Sequence, residues 1–235
     1  MIIDYSMLKT EIVLKFGLEI CSGLRIGGTD PDREEVLQVE TTSGSYPLIP
    51  RSSLKGVLRS EFERLEKLAL KPVECEFKHG RNKKLLWSEI LFGFAKKEDE
   101  DTYFSLKGAV QVSDVLLEDT AVRTRNHVRI DRKRQTHAPG GLFSQQVVES
   151  EDSKGIVEVR IANIDQKEPL KVLFFILDEI STGHIGIGAR SSAGLGAVRG
   201  TNRIAIIAKE DAQLLGIVEP SRVRIGSFGD LMNHI

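Results

Sequence analysis

Alternating hydrophobic and polar positions near the start of the chain predict a half-buried β-strand. The apolar side chains of residues 11–20 fall two positions apart, at Ile12, Leu14, Phe16, Leu18 and Ile20. This spacing places them on one face of a strand, because successive side chains point to opposite sides. A glycine-rich, acidic loop without periodicity follows at residues 27–35.

A helical period begins after the sequence Ile49-Pro50-Arg51-Ser52-Ser53. Its apolar residues recur three or four positions apart, at Leu54, Val57, Leu58, Phe62, Leu65 and Leu68. This stripe predicts an amphipathic helix that ends before Pro72. Ser52 or Ser53 is expected to be the N-cap, since a serine hydroxyl can accept a hydrogen bond from a free backbone N–H.

The remaining pattern completes an α+β fold. Residues 72–106 lack a regular period, with a charged run at 96–101, and are expected to form an irregular insertion. Strands are expected at 109–115 and 156–161, and a last one from Leu195 onward.

The segment 170–180 contains six consecutive apolar residues, Val172 to Leu177, which also fit a buried strand. Its length and Gly183 at the C′ position favour a helix. The order β-α-β-β-α-β predicts a ferredoxin-like fold. We expect one domain over 1–235, with insertions at about 23–50, 72–106 and 118–154.

Composition narrows the class of protein. The 235 residues are 40% hydrophobic and 29% charged, which is ordinary for a globular protein and too apolar for a disordered one. No apolar run approaches the roughly 20 residues of a membrane span, and the first residues do not resemble a secretory signal. Two cysteines, Cys21 and Cys75, exclude a disulfide framework. We therefore expect a cytoplasmic protein without a membrane partner.

The net charge of −1 conceals a strongly basic segment. Residues 123–134 contain six basic side chains and one acid, Asp131, so this segment carries +5 and the rest of the chain −6. Four of its side chains are spaced two apart, at Arg123, Arg125, His127 and Arg129. On a strand they would form a ladder with a pitch of about 6.8 Å, which suits successive phosphates. A solvated charged face is the alternative.

The basic segment leads into Ala-Pro-Gly-Gly at 138–141, which predicts a turn. Leu142 and Phe143 follow as an exposed apolar pair. A basic hairpin with an apolar tip would be a wedge for a nucleic acid. Alternatively, both side chains pack back onto the core.

Six glycines lie within residues 183–200, at Gly183, Gly186, Gly188, Gly194, Gly196 and Gly200. Their spacing matches neither the dinucleotide fingerprint nor the P-loop. The same loop carries Arg190, Ser191 and Ser192, which suit a phosphate. A tight connection between helix and strand is an equally good explanation.

Several short blocks together resemble the RAMP superfamily. Residues 48–59, Leu-Ile-Pro-Arg-Ser-Ser-Leu-Lys-Gly-Val-Leu-Arg, are similar to its helix-start signature, with Arg51 where the family usually has glycine. Residues 186–196, Gly-Ile-Gly-Ala-Arg-Ser-Ser-Ala-Gly-Leu-Gly, resemble its glycine-rich loop. Blocks at 91–93, 112–114 and 125–132 resemble the branch containing the backbone subunits of type III CRISPR effector complexes.

The resemblance implies a ferredoxin-like palm with a protruding hairpin, the thumb. Copies would form a helical filament along a CRISPR RNA, beside target RNA and other complex subunits, with the thumb wedged between nucleotides. The helix-start motif and the glycine loop would hold the guide backbone. The RNA-binding residues expected from both lines of reasoning are Arg51, Ser52, Ser53, Lys55, Arg59, Arg123, Arg125, His127, Arg129, Arg132, Arg134, Arg190 and Ser191.

Cleavage of the target is a separate expectation. In the family, an Asp in the loop after the first strand cuts RNA with a divalent metal. The matching position here is Glu35, and Asp30 and Asp32 lie in the same loop. These carboxylates are candidate catalytic residues with Mg²⁺ or a similar ion; alternatively they are solvated. Cys75 and His79 have the spacing of two zinc ligands, but no second pair completes a zinc site.

Two other functions compete with the backbone subunit. A RAMP endoribonuclease that processes precursor CRISPR RNA would usually carry an N-terminal His, and none precedes His79. An unrelated ferredoxin-like RNA-binding module would show aromatic residues on its strands for base stacking, whereas only 6% of the chain is aromatic.

Overall fold

The polypeptide forms a central sheet with helices on one face and hairpins around it. We describe residues 2–3, 7–27, 35–77, 81–97, 103–150 and 153–234 in a computed structural model. The strands are β1 (Ile2–Ile3), β2 (Glu11–Ile20), β3 (Gln38–Thr41), β4 (Gly44–Ile49), β5 (Val73–Phe77), β6 (Arg81–Leu85), β7 (Gly93–Lys97), β8 (Tyr103–Lys107), β9 (Val110–Val112), β10 (Val115–Leu116), β11 (Ala121–Asp131), β12 (Thr136–Glu149), β13 (Gly155–Ala162), β14 (Val198–Ala208) and β15 (Ser221–Arg224). The helices are α1 (Arg51–Ala69), α2 (Trp87–Phe92), α3 (Lys167–Ser181) and α4 (Asp211–Leu214), with 3₁₀ helices at Ser191–Ala193 and Phe228–Asn233.

The central sheet confirms the predicted ferredoxin-like arrangement. Its five strands lie in the order β15-β14-β2-β13-β9, and each neighbouring pair is antiparallel. β2 and β9 flank β13 and are joined through α1, while β13 and β14 flank β2 and are joined through α3. β15 is an addition at one edge. Leu14, Phe16 and Leu18 of β2 face the helices and are at most 2% exposed.

Helix α1 ends at Ala69, before Pro72 as predicted, but its N-cap and the burial of Leu68 differ from the prediction. Pro50 is the N-cap without a side-chain hydrogen bond, so neither Ser52 nor Ser53 caps the helix. Asp114, which is 63 residues away in the sequence, caps the helix instead, because its Oδ1 accepts a hydrogen bond from the Arg51 N–H at 2.6 Å. Leu68 is 86% exposed and lies outside the apolar stripe, since the last turn of α1 extends beyond the surface that covers the rest of the helix.

Residues 72–106 have regular secondary structure, contrary to the prediction that they are irregular. They contain two hairpins, β5–β6 and β7–β8, with the buried helix α2 between them. The hairpins meet through the edge-to-face contact of Phe104 in β8 with Phe77 in β5, at 5.2 Å between ring centres. Within the β7–β8 hairpin, Phe104 also contacts Phe94 at 5.4 Å. The sequence pattern is weak here because each strand has only five residues and buries one face alone.

The sheet face opposite the helices, called the open face below, is mainly polar. Its positions alternate with the core positions and are Glu11, Val13, Lys15, Gly17, Glu19, Gln111, Ile156, Glu158, Arg160, Ala162, Arg199, Thr201, Ile204, Ile206, Ala208, Arg222 and Arg224. No Phe, Tyr or Trp is among them. Within the described residues, no helix is both long and apolar enough to cross a membrane.

Candidate nucleic-acid interface

A groove brings the helix-start motif and the glycine loop together. It has a volume of about 420 Å³ and lies where the chain leaving β2 passes between these two segments. Its walls are Ile26, Gly27, Ser52, Ser53, Gly56, Val57, Ser60, Gly188 and Ala189. Two motifs that are more than 130 residues apart in the sequence therefore share one surface of small and hydroxyl-bearing side chains.

Glycine is required in this loop for close packing. Gly188 has a φ of +87°, and a Cβ there would lie 2.3 Å from the carbonyl oxygen of Arg25. The next residue, Ala189, donates its N–H to that same oxygen at 2.8 Å. Gly196 has a φ of +82°, and its Cβ would lie 2.1 Å from the oxygen of Ile187. These two glycines fit the tight-connection explanation, and they hold the exposed residues 190–194 at the rim of the groove.

Arg190 and Phe143 connect the glycine loop to the hairpin. Arg190 is exposed, and its guanidinium carbon lies 4.8 Å from the centre of the Phe143 ring. The Phe143 ring stacks with His127 at 5.4 Å and 17° between planes. Phe143 is thus neither part of an exposed tip nor packed into the core. Ser191 is exposed next to Arg190.

A buried glutamine fixes His127 on the side of the hairpin that faces the palm. Gln145 is 1% exposed, and its Oε1 accepts a hydrogen bond from Arg25 Nη1 at 3.1 Å. Its Nε2 lies 2.8 Å from His127 Nε2. Because the amide oxygen is engaged by Arg25, the amide nitrogen donates, and His127 Nε2 must accept. The assigned tautomer therefore carries its proton on Nδ1.

The prediction that the basic hairpin turns at residues 138–141 is wrong. The turn lies at residues 132–135, where Asp131 Oδ1 accepts the N–H groups of Lys133 and Arg134 at 2.9 and 3.2 Å. An aspartate that bonds the backbone two or three residues on is a strong turn former. Residues 138–141 instead lie within β12, at an irregularity where the pairing shifts between Val128–Leu142 and Ile130–His137.

The hairpin consequently has a basic tip and an apolar side. Arg132, Lys133 and Arg134 are exposed at the tip, and their side chains have no ion-pair partner in the described part of the chain. Three apolar side chains near it are largely exposed, Val128 at 53%, Ile130 at 66% and Leu142 at 71%. Val128 and Leu142 are directly opposite each other, so these side chains form one patch beside the tip.

The arginine ladder has a counter-charge outside the basic segment, Glu149, which the sequence analysis did not identify. Arg125 Nε lies 2.7 Å from Glu149 Oε1, and Arg123 Nε lies 3.5 Å from Glu149 Oε2. One carboxylate thus forms ion pairs with two arginines, so Arg123, Arg125 and Glu149 together carry a net charge of about +1. Arg129 is exposed and unpaired among the described residues. A second cleft, of about 930 Å³, lies beside Arg123 and Arg125 and includes the exposed Cys21.

The cations of α1 lie outside the lining of the groove. Arg59 donates to Glu63 Oε1 at 2.7 Å and to the Gly93 carbonyl oxygen at 3.1 Å, which ties α1 to the end of α2. Lys55 is half-buried, and burial, followed by the charge of Arg59, lowers the pKa of its ammonium. Arg51 is exposed at the start of the helix. Their binding of RNA stays a prediction.

The candidate catalytic loop begins and ends at the groove. Gly27 lines it and forms an isolated bridge with Val36, whose N–H donates to Gln146 Oε1 at 3.0 Å. Glu35 is exposed beside that bridge, whereas Asp30 and Asp32 lie outside the described residues. Among the described residues, no three His, Cys, Asp or Glu side chains form a metal site. Binding of Mg²⁺ by this loop stays a prediction.

Only one residue of the suggested zinc pair is described. Cys75 is 1% exposed, and burial raises the pKa of its thiol. His79 lies outside the described residues.

Comparison with known proteins adds two findings. The model of the RAMP superfamily matches residues 18–199 of this chain, which include the helix-start motif, the hairpin and the glycine loop. No curated protein matches the chain. A similar solved chain belongs to a crystal structure of the Csm3-Csm4 subcomplex in the type III-A CRISPR-Cas interference complex. The two are 20% identical over 97% of this chain and 96% of that one, with a TM-score of 0.55, a likeness of fold.

Proposed function

Because this chain belongs to the RAMP superfamily, we propose that it is a CRISPR RNA-binding subunit of a type III interference complex. The observation that carries the proposal is the groove in which Ser52, Ser53 and Gly56 meet the glycine loop. Small side chains let a sugar-phosphate backbone approach closely, and serine hydroxyls can donate to its oxygens.

The hairpin extends this interface beyond the groove. Arg190, Phe143 and His127 join the glycine loop to the hairpin, so both surfaces contact one continuous strand of RNA. The unpaired cations at 129, 132 and 134 bind phosphates. The apolar patch of Val128, Ile130 and Leu142 supplies the wedge between bases, because it is the exposed apolar surface near the tip.

Several copies bind along one guide, with paired target RNA and other subunits of the complex as further partners. The likeness in fold to a chain of a Csm3-Csm4 subcomplex supports an assembly of this kind. Binding to RNA in the cytoplasm, where the guide is available, completes the proposal.

The two competing functions fit the geometry less well. A single-stranded RNA-binding module of the base-stacking type would need aromatic rings on its sheet, and the open face has none at the positions given above. A precursor-processing endoribonuclease that uses histidine would need one in the groove, and no histidine among the described residues lines it. His127 is already bonded to Gln145.

Cleavage of guide-paired target RNA is a further part of the proposal and rests on the carboxylate loop. Glu35 is next to the groove and exposed, and its carboxylate would act on an unstacked target nucleotide. Single-turnover cleavage by the assembled complex with added Mg²⁺ tests this, using Asp30→Ala, Asp32→Ala and Glu35→Ala separately. At least a tenfold loss in one variant is expected, and parental rates in all three would remove the loop from the chemistry.

Gly56 provides a direct test of RNA binding in the groove. A Cβ at this position would meet no atom within 4 Å, so the larger Glu and Gln side chains can extend into the groove without a backbone clash. We expect Gly56→Glu to weaken binding of a short single-stranded RNA at least tenfold relative to Gly56→Gln. The two variants differ by one charge at equal size, and fluorescence anisotropy measures the difference. Equal affinities would exclude the groove as the path of the RNA backbone.

A further inference from the structure

Two arginines on the edge strand β15 have side chains without a counter-charge. Arg222 and Arg224 are exposed and alternate on the strand, so they share the open face about 6.8 Å apart. Neither has an ion-pair partner among the described residues. Their cross-strand neighbours on β14 are Ile206 and Ile204, which are half-buried and offer no acceptor. The strand lies beyond residue 199, where the family match ends.

The backbone of the same two arginines is also open on its outer side. The Ile225 N–H donates to the Arg203 carbonyl oxygen at 3.2 Å, so the residue pair next to Arg224 is hydrogen-bonded. Hydrogen-bonded and non-bonded pairs alternate along an antiparallel ladder such as β14–β15. The N–H and C=O groups of Arg222 and Arg224 therefore point away from β14. Because β15 is the outermost strand of the sheet, these groups have no strand partner in the described part of the chain.

The centre of the same face is electrostatically balanced. Lys15 Nζ lies 2.7 Å from Glu158 Oε2, and Arg160 Nε lies 2.6 Å from Glu158 Oε1. Arg160 also lies 3.7 Å from Glu11. The β15 side of this face differs, since it presents two guanidinium groups without a carboxylate. Each of them can bind an external carboxylate bidentately.

A cleft on the other face of β15 can accept an apolar side chain. It has a volume of about 300 Å³ and lies beside Val223, the residue between the two arginines. Ile207 and Val223 provide its apolar surface, and Gln213 and His234 also line it. The connection from α4 to β15 adds three exposed apolar side chains, Leu215, Ile217 and Val218. The strand edge thus combines two cations on one face with apolar surface nearby.

We propose that the edge of β15 binds an extended segment of another protein, which joins the sheet as an additional strand. Strand addition gives affinity through backbone hydrogen bonds and specificity through alternate side chains. The outward backbone groups of Arg222 and Arg224 bind the segment, and its residues directly opposite these arginines are acidic. The residue between those acids is opposite Val223 and extends over the cleft, so it is apolar. This inference goes beyond the proposed function, because the occupant is a protein rather than RNA.

RNA fits the β15 edge less well than a peptide does. Alternating N–H and C=O groups on an open edge match another strand of polypeptide, whereas a phosphate backbone has no N–H groups to donate to the carbonyl oxygens. The ion-paired centre of the face would not attract a phosphate backbone that crossed the sheet. No aromatic residue is among the open-face positions given above, so bases would have no stacking surface.

A short synthetic peptide tests strand addition directly. The probe is a fluorescein-labelled peptide in which valine and glutamate alternate, and fluorescence anisotropy with the full chain at low salt measures its affinity. We expect a dissociation constant of about 100 µM or lower, and binding weaker than about 1 mM would overturn the inference.

Backbone methylation of the probe separates strand addition from simple charge attraction. In the expected register the glutamate N–H groups point to β15, and the valine N–H groups point away from it. N-methylation of the glutamates should weaken binding at least about tenfold, because it removes hydrogen bonds to the strand. N-methylation of the valines should change the affinity less than about threefold, since it removes none of them. Equal effects of the two modifications would overturn the inference.

Charge reversal on the protein identifies the binding site. Charged side chains on an edge strand also prevent unwanted strand pairing, and Arg222→Glu/Arg224→Glu retains that protection because the positions stay charged. This variant should bind the glutamate peptide at least about tenfold more weakly, since two favourable cross-strand pairs become repulsive. It should bind the corresponding valine–lysine peptide about as tightly as the parent binds the glutamate peptide. Failure of either expectation would overturn the inference.

A matched control and two further readouts distinguish other occupants. Lys167→Glu/Lys171→Glu changes the charge equally on exposed α3 positions and should leave the peptide affinity unchanged. A short RNA should lose no more affinity in Arg222→Glu/Arg224→Glu than in this control, and a larger loss would assign the edge to RNA and overturn the inference. Sedimentation velocity of the parent alone should show no association that the reversal abolishes. Such association would assign the edge to a second copy and also overturn the inference.

Discussion

Two arginine ladders of equal spacing occur in this molecule, and they differ in the charge they make available. Arg123 and Arg125 on β11 share the carboxylate of Glu149, whereas Arg222 and Arg224 on β15 have no partner within the described residues. The local sequences are similar, Arg-Thr-Arg and Arg-Val-Arg. A basic sequence pattern therefore does not by itself indicate free positive charge.

The strand opposite each ladder explains the difference. Arg123 and Arg125 pair with Val147 and Gln145 on β12, which are 0% and 1% exposed. That strand ends at Glu149, within reach of both guanidiniums. Arg222 and Arg224 pair with two half-buried isoleucines of β14, which offer no acceptor. A third set of cations, Arg132, Lys133 and Arg134, lies in the turn between β11 and β12, where no strand residue is paired with them.

The largest effect is expected at the hairpin tip. Replacing Arg132, Lys133 and Arg134 by Gln removes three unpaired cations, each able to neutralise one phosphate. The slope of log K against log salt should fall by about 2, since each contact on a single strand contributes about 0.7. Affinity at 0.1 M salt should fall about a hundredfold. Anisotropy titrations at several salt concentrations measure the slope, and a change below about 0.5 would remove the tip from the RNA path.

Removing the β11 ladder should have a smaller effect. Arg123→Gln/Arg125→Gln deletes two cations but frees Glu149, so the net loss is about one phosphate contact. We expect the slope to fall by about 0.7 and the affinity at 0.1 M salt to fall about fivefold. A loss as large, per residue, as that at the tip would show that Glu149 does not compensate the ladder.

Neutralising Glu149 should act in the opposite direction. Glu149→Gln leaves Arg123 and Arg125 without their carboxylate, so RNA affinity should rise by up to about fivefold. Stability should fall by about 1 kcal/mol, because the Arg125 side chain loses a charged hydrogen bond. RNA titration and chemical denaturation of one preparation test the expected rise in affinity and the expected fall in stability. Weaker RNA binding would contradict the prediction.

The smallest effect concerns the paired cations of the open face. The hydrogen bond from Lys15, followed by that from Arg160, lowers the pKa of Glu158 against the opposing effect of burial. A lowered pKa means that this carboxylate stabilises the fold above the ordinary Glu pKa of about 4.3, and that this contribution is lost as the pH falls through the lowered value.

Denaturation of Glu158→Gln and the parent at pH 7 and pH 3 tests this sign. The parent should lose more stability over that interval, by less than about 1 kcal/mol because the pair is near the surface. An equal loss would show that the central ion pairs contribute nothing, and would weaken their contrast with the β15 edge.

The turn of the hairpin shows why part of the site was not predicted. Pro139 and Gly140 suggested a turn at 138–141, but Asp131 binds two backbone N–H groups and places it at 132–135. Had Asp131 been weighed above the Pro-Gly pair, the turn would have been placed correctly, but the pairing Asp131–Thr136 continued along the strands would put Glu149 opposite Glu118. Only the register shift between Val128 and Ile130 brings Glu149 opposite Ala121 and next to Arg123, so the counter-charge was not detectable from the turn alone.

Other parts of the site depend on contacts between distant residues. Asp114 caps α1 across 63 positions, and Gln145 reaches Arg25 across 120 positions. No local pattern marks either side chain, since a lone Asp or Gln is compatible with many surroundings. The arginines of β15 were missed for a related reason, because their availability depends on what β14 places beside them.

The palm was determined by the sequence itself. The two-residue period of residues 11–20, the helical stripe of α1 and the order of elements were sufficient for the ferredoxin-like arrangement, because burial of apolar side chains dominates and its period is local. Tertiary structure alone decided which polar groups form hydrogen bonds or ion pairs within the chain and which remain available to a partner. Hydrogen bonds and ion pairs act over a few ångströms, so only the folded chain determines that Arg125 meets Glu149, whereas Arg224 has no ion-pair partner among the described residues.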